Sequence, residues 1–249
     1  MKKLFEIYKE TMLSPKAILD KAIDKTIPKT DTTAYTKRNF SKIIDLVGEE
    51  AYSIFLKEQE SAGKRAVRNY FEEIIPRNSS REDLIGIVSN NFKEFDRFFL
   101  SLAQSRKPRA GSTFESIIKQ LFRKLNYPFA EQQVINGKPD FLMPNRENYD
   151  TNPMDCVIFT VKRTVRERWR QIVTEGTRGL GFFLATIDDS ISDPQLKEML
   201  KNRIYLVMSV HLKNRTPHYK KAVNVLSFEE FFRDHLDPAV RRWKNGGII

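Results

Sequence analysis

The segment Cys156-Val157-Ile158-Phe159-Thr160-Val161-Lys162 is a run of apolar and β-branched residues that closes on a lysine. A run of this composition reads as a β-strand, with Cys156 as buried packing. Working outward, Phe129 to Ile135, Asp140 to Met143, Phe182 to Ile187 and Ile204 to Val210 share its composition and are bounded by Pro, Gly, Asn or Asp. Between and after them, Val165 to Glu175, Asp193 to Lys201 and Phe228 to His235 have helical spacing. Alternating strands and helices predict a mixed sheet covered by helices, so the second half is α/β.

Upstream the period changes. Ile18, Leu19, Ala22 and Ile23 follow Ser14-Pro15, a cap and first-turn signature. Phe40 to Val47 forms a stripe ending at Gly48; Tyr52 to Leu56 and Val67 to Ile74 form two more. Ser80 and Asp83 cap Leu84 to Val88, and Phe92, Phe95, Phe98, Phe99 and Leu102 close the series as expected core. The basic stretch Gln104-Ser105-Arg106-Lys107-Pro108-Arg109-Ala110-Gly111-Ser112 then reads as a connector, with Ser112 capping a helix from Thr113 to Leu125. The expected organisation is an all-α N-terminal domain over 1–103 and an α/β domain over 104–249.

The chain has 249 residues and a net charge of +11, and its 40% hydrophobic content supplies a core, which argues against overall disorder. The charge is concentrated: residues 104–124 hold a net +5 and residues 162–178 a net +4, the second stretch dominated by arginine. A polyanionic partner is expected, because planar guanidinium groups suit phosphate and guanine. The single cysteine, Cys156, excludes an intramolecular disulfide and a multi-cysteine zinc site. His211, His218 and His235 have no metal-ligand spacing, and no Ser/His/Asp arrangement is evident. Met1-Lys2-Lys3-Leu4-Phe5-Glu6 lacks the apolar run of a signal peptide, and no stretch reaches the ~20 apolar residues of a membrane span, so a soluble, cytoplasmic protein with no membrane partner is expected.

Chemistry then has to rest on carboxylates, lysine and a metal. Gly137-Lys138-Pro139-Asp140 opens one strand and Lys162 ends another 22 residues later. Acidic oxygens that hold one or two Mg²⁺ ions polarise a phosphodiester, and an adjacent lysine supplies positive charge as the transition state becomes more negative. Pro-Asp followed by a strand-ending Lys is the skeleton of the PD-(D/E)xK nuclease site. The acid usually found two residues before the lysine is replaced by Thr160, which leaves Glu175 and Glu115 as candidates for a further carboxylate.

With Asp140 ahead and Glu175 behind, Lys162-Arg163-Thr164-Val165-Arg166-Glu167-Arg168-Trp169-Arg170-Gln171 resembles the type II restriction endonucleases grouped with EcoRII, PspGI and NgoMIV. The resemblance implies a restriction-endonuclease-like fold and a second active-site acid moved onto the following helix, which favours Glu175. It also implies base readout by Arg166-Glu167-Arg168: the arginines donate to guanine O6 and N7, and the glutamate accepts from cytosine N4, within a CCGG core. Gln104, Arg106-Lys107-Pro108-Arg109-Ala110-Gly111 and Phe114-Glu115 are similar to the segment entering the catalytic domain in the same group. There the glutamate lies near the metals and the glutamine can touch the minor groove. The overall layout, a helical N-terminal part fused to such a domain, resembles the BsaWI type, although the family resemblance itself covers only about residues 104–210.

These resemblances imply Mg²⁺-dependent cleavage of double-stranded DNA at a short palindrome. Asp140, Glu175 and Glu115 would bind metal and Lys162 would assist; Arg166, Glu167, Arg168 and Gln104 would read bases; Arg106, Lys107, Arg109 and Arg163 would hold the DNA backbone. A palindrome calls for at least a homodimer, and relatives also form tetramers on DNA. Ordinary structural roles stand beside each of these: a strand-end carboxylate for Asp140, an ion pair with Arg170 or Arg178 for Glu175, an exposed helix start for Glu115, and a surface ion-pair helix for Arg166 to Arg168. Two other functions fit the same residues: a junction-resolving or repair nuclease, and a DNA-binding protein without activity.

Overall fold

The computed structural model describes residues 3–28, 32–135, 137–165 and 181–249, with the backbone alone over 106–113. The chain divides into two compact units, one formed by 1–28 and 47–113, the other by 29–46 and 114–249. Helices α1 (Leu4–Thr11) and α2 (Pro15–Thr26) are followed by the short α3 (Thr33–Arg38), the 35-residue α4 (Phe40–Ile74), α5 (Arg81–Asn90) and the 33-residue α6 (Phe92–Lys124).

The first unit is helical, as the stripes require. Ser14 accepts a hydrogen bond from the Ala17 amide with Pro15 in the first turn, and Ser80 and Asp83 form a reciprocal capping box. Leu4, Ile7 and Tyr8 pack with Ala62, Ala66, Tyr70, Phe98 and Leu102. Small Ala62 and Ala66 lie one helical turn apart, so the larger side chains can fill the space they leave. The expected core role of two aromatics fails here. Phe92 and Phe99 are 71% and 59% exposed, and α5 buries none of its residues. A stripe specifies which side chains share a face; whether anything covers that face is a tertiary matter.

The helix boundaries also differ from the expected ones. Gly48 does not end a helix, and α4 joins three separate stripes into one element. Likewise α6 runs unbroken through 104–112, so the connector and the Ser112 cap are not present as such. Pro and Gly disfavour a helix interior locally by about 1–3 kcal/mol. Buried turns on either side, Phe98 and Leu102 before, Phe114, Ile117, Ile118, Leu121 and Phe122 after, outweigh that local preference. The two units consequently part at residue 113, and 29–46 belongs with the α/β unit.

In the second unit, β1 (Ala130–Glu131), β2 (Phe141–Met143), β3 (Val157–Val161), β4 (Gly181–Ala185), β5 (Ile204–Met208) and β6 (Val225–Ser227) form a sheet in sequential order. β1, β2 and β3 pair antiparallel, and β3 to β6 run parallel. The mixed sheet agrees with the sequence reading, and β6 is an addition, too short to stand out by composition.

Every residue of β3 and β4 is buried, because both faces are covered. On one face Leu142, Ile158, Phe182, Leu184, Ile204 and Leu206 pack with Leu196 and Met199 of helix Asp193–Lys201 and with Leu212 and Tyr219. On the other face Phe141, Phe159 and Phe183 meet an aromatic layer built from Phe40, Phe122, Phe231 and Phe232. Residues alternate strictly between these two layers, so the two-residue strand period sets which side chains share a face.

Candidate active site

Register brings the first two candidates together. Phe141 pairs with Phe159, so Asp140, one step before β2, lies across from Thr160, one step further along β3. Lys162 follows Thr160 by two residues and projects to the same side. Asp140 is buried at 8% exposure, and its Oδ2 accepts from Thr160 Oγ1 at 2.8 Å and from the Val161 amide at 2.7 Å. The Lys162 ammonium stands 3.4 Å from the same oxygen, its side chain 35% exposed. Among the described residues all three donors meet Oδ2, and none donates to Oδ1. The carboxylate is thereby oriented through one oxygen.

Thr160 stands where an acid was expected from the usual pattern, and its role is now physical: it steers Asp140 by a buried hydrogen bond. Its signal in the sequence was the departure itself. The Lys162 amide donates to the Ala185 carbonyl at 2.9 Å, which extends the parallel β3–β4 ladder to the lysine and fixes where its side chain starts.

Glu115 sits on α6, half-buried. Burial, then the Asp140 carboxylate, raise its pKa above the ordinary glutamate range, while Lys162 and Lys119 pull it down. Glu115, Asp140 and Glu131 therefore share an electrostatic neighbourhood with Lys162 and Lys119. Among the described residues no group of three or more His, Cys, Asp and Glu is arranged as a metal site. The third acid expected, Glu175, lies outside the described residues, as do Arg166, Glu167, Arg168 and the helix Val165 to Glu175 beyond its first residue. The side chains of Arg106, Lys107 and Arg109 lie outside them too, while Gln104 on α6 and Arg163 after β3 are exposed.

Part of the basic stretch at 104–124 is internally neutralised. Lys119 and Arg123 both pair with Glu131 on β1, the latter at 2.6 Å. Glu131 falls outside the window in which the charge was counted, so linear counting overstated the cations available to a partner. The loop after β4 holds two further polar residues that sequence reading passed over, Thr186 and Asp188, both buried. Asp188 followed by Asp189 and Ser190 has the composition of a side-chain-capped turn, the only local signal available for it.

Cys156 is buried and accepts a contact from Asn148 Nδ2 at 3.4 Å. Burial pushes its thiol up to about 11, consistent with packing. No helix among the described residues is long and apolar enough to cross a membrane.

A family model described as EcoRII C terminal matches residues 69–232. The type II restriction enzyme SsoII of Shigella sonnei is 31% identical over 158 residues, covering 59% of this chain and 51% of the relative. The type II restriction enzyme EcoRII of Escherichia coli is 32% identical over 148 residues, 56% of this chain and 37% of the relative. The chain thus matches about half or less of these curated relatives. Among solved structures, metal-depleted Ecl18kI in complex with uncleaved DNA has a TM-score of 0.74 at 27% identity, covering 97% of this chain and 84% of that one. A complex of the restriction endonuclease PspGI with substrate DNA has a TM-score of 0.57 at 21% identity, over 97% and 94% of the two chains, and shares the fold.

Proposed function

Since the chain belongs to the EcoRII C-terminal family of type II restriction endonucleases, we propose that it hydrolyses phosphodiester bonds of double-stranded DNA at a short palindrome with a CCGG core. The observation that carries this reading is Asp140, held through one carboxylate oxygen by Thr160, the Val161 amide and Lys162, with Glu115 close enough to be raised by its charge. Asp140 and Glu115 are hard oxygen donors suited to Mg²⁺, and Glu175 completes the set on this reading. One or two such ions would polarise the scissile phosphodiester and lower the cost of deprotonating the attacking water.

The chain's own residues do the rest. Thr160 and the Val161 amide keep Asp140 from rotating, which pre-organises the carboxylate that would hold an ion. Lys162 places an ammonium at the edge of the site, where charge grows as the phosphoryl group is attacked. Arg166, Glu167 and Arg168 follow the lysine closely enough to report on bases while it acts on the backbone; Gln104, with Arg106, Lys107, Arg109 and Arg163, completes the DNA contact set. A homodimer is the minimum that reads a palindrome with equivalent halves, and DNA can pair dimers into tetramers. The helical segment 1–103 would carry dimer and DNA-backbone contacts.

The test is digestion of DNA of known sequence with Mg²⁺ and sequencing of the ends. Discrete fragments with one common palindrome are expected, and Asp140→Ala should abolish them while DNA binding persists. Retained cleavage by Asp140→Ala, or nicks that follow DNA shape instead of sequence, would overturn the reading.

A further inference from the structure

Three residues separate Lys162 from Arg166, so whatever holds residues 163–165 sets the offset between cleavage and base readout. That hold is provided by the loop after β4. The Thr186 hydroxyl donates to the Arg163 carbonyl at 3.2 Å and accepts from the Asp188 amide at 3.1 Å. Asp188 Oδ2 accepts from the Val165 amide at 2.8 Å. Its Oδ1 accepts from the Ser190 amide at 2.9 Å and the Ser190 hydroxyl at 2.5 Å.

Behind this carboxylate the loop is itself braced. Tyr219 donates its hydroxyl to the Asp188 carbonyl at 3.1 Å and accepts from the Ile191 amide at 2.9 Å. Thr186 is fully buried and Asp188 is 7% exposed, and the Val165 side chain is sealed into the core at 1%. The buried Asp188 carboxylate takes up the Val165 and Ser190 amides, in keeping with the need of a buried charge for hydrogen-bond donors. None of these residues belongs to the metal-binding or base-reading set above.

We propose that Thr186 and Asp188 are positioning residues that clamp the segment between Lys162 and Arg166, so that the cut and the readout of the bases are held in one register. This rests on the reading of Arg166, Glu167 and Arg168 as base contacts. Asp188→Asn keeps the shape but must face its amide NH₂ against either the Val165 N–H or the Ser190 donors. Thr186→Val removes the bridge to Arg163 at nearly constant volume, and Thr186→Ser keeps the hydroxyl.

The experiment measures kcat and KM on the mapped site and on sites with one altered core pair, with thermal melting alongside. Asp188→Asn and Thr186→Val are expected to lower kcat on the mapped site roughly 10- to 100-fold, with KM little changed and with a reduced ratio of correct to altered-site cleavage. Thr186→Ser restores both. In the double variant Asp188→Asn/Arg168→Ala the loss of discrimination is smaller than the product of the single losses, as expected if the clamp acts through the base-reading residues. Additive losses, or variants that keep the wild-type ratio of correct to altered-site cleavage, would overturn the clamp. Should Asp188→Asn fail to fold, the Thr186 pair decides by the same readouts. An unchanged discrimination in Arg168→Ala alone would instead sink the base-readout assignment, which separates that failure from failure of the clamp.

Discussion

Asp140 and Thr160 show how one residue's chemistry is set by its partner across a ladder. The sequence singles out Asp140 by its Pro-Asp context and marks Thr160 only as an exception, yet the antiparallel register makes them a hydrogen-bonded pair at 2.8 Å. Thr160→Val, close to isosteric, is expected to cost about 1–2 kcal/mol of stability, since it leaves Oδ2 one donor short in a buried site. Urea unfolding measures that loss, and cleavage should slow as well because the carboxylate gains freedom to rotate. Arg168→Ala is expected to cost about 1–3 kcal/mol of discrimination at one guanine. Comparing cleavage rates on the mapped site and its single-pair variants checks this. Asp140, Lys162 and Glu115 could be picked out from residue type and spacing. Asp188 could not, because its function is defined by a main-chain amide 23 positions away.

Among elements, the aromatic layer on one side of the sheet carries the packing. Phe122 of α6 contacts Phe40, Tyr127, Phe129, Phe141, Phe159 and Phe232 with ring centroids between 5.3 and 6.4 Å. Phe122→Ala should destabilise the α/β unit by about 3–5 kcal/mol, read as a shift of the denaturant midpoint. The turn Phe232–Leu236 that closes this layer contains a pH-sensitive element. His235 is half-buried against Phe183 and Tyr205, and burial holds its pKa below the ordinary 6.5, with Asp234 opposing.

The folded state therefore favours the neutral ring. Its contribution is intact above pH 6.5 and is lost as the pH falls through the lowered folded value, because the unfolded chain takes up the proton first. Unfolding midpoints measured from about pH 8 to about pH 5 should fall on the acid side, and His235→Phe should flatten that slope. Helix boundaries were less legible than helix identity: α4 and α6 run through Gly48, Pro108 and Gly111, where local propensity predicts stops. Packing on both sides of such a residue outweighs a penalty of a few kcal/mol.

At the scale of the whole molecule the excess of +11 acts as a field toward a polyanion. DNA affinity should fall steeply with salt, by about 10³–10⁵ between 50 and 200 mM if six to ten phosphates are contacted. Titrations across that range test this, and a shallow dependence would point away from an extensive backbone contact. Lys119 and Arg123, already paired with Glu131, should contribute little to the slope. Sequence alone determined the class of each half, the mixed sheet, the candidacy of Asp140 and Lys162 and the family resemblance that the comparisons bear out. Those features depend on residue type and on periods of two and 3.6 that are local and additive. The tertiary structure decided which stripes are covered, where residues 29–46 pack, which cations are already neutralised and which loop holds the segment after Lys162. Each of these depends on a contact between residues far apart in the chain, and no local pattern encodes a contact until both partners have been brought to the same place.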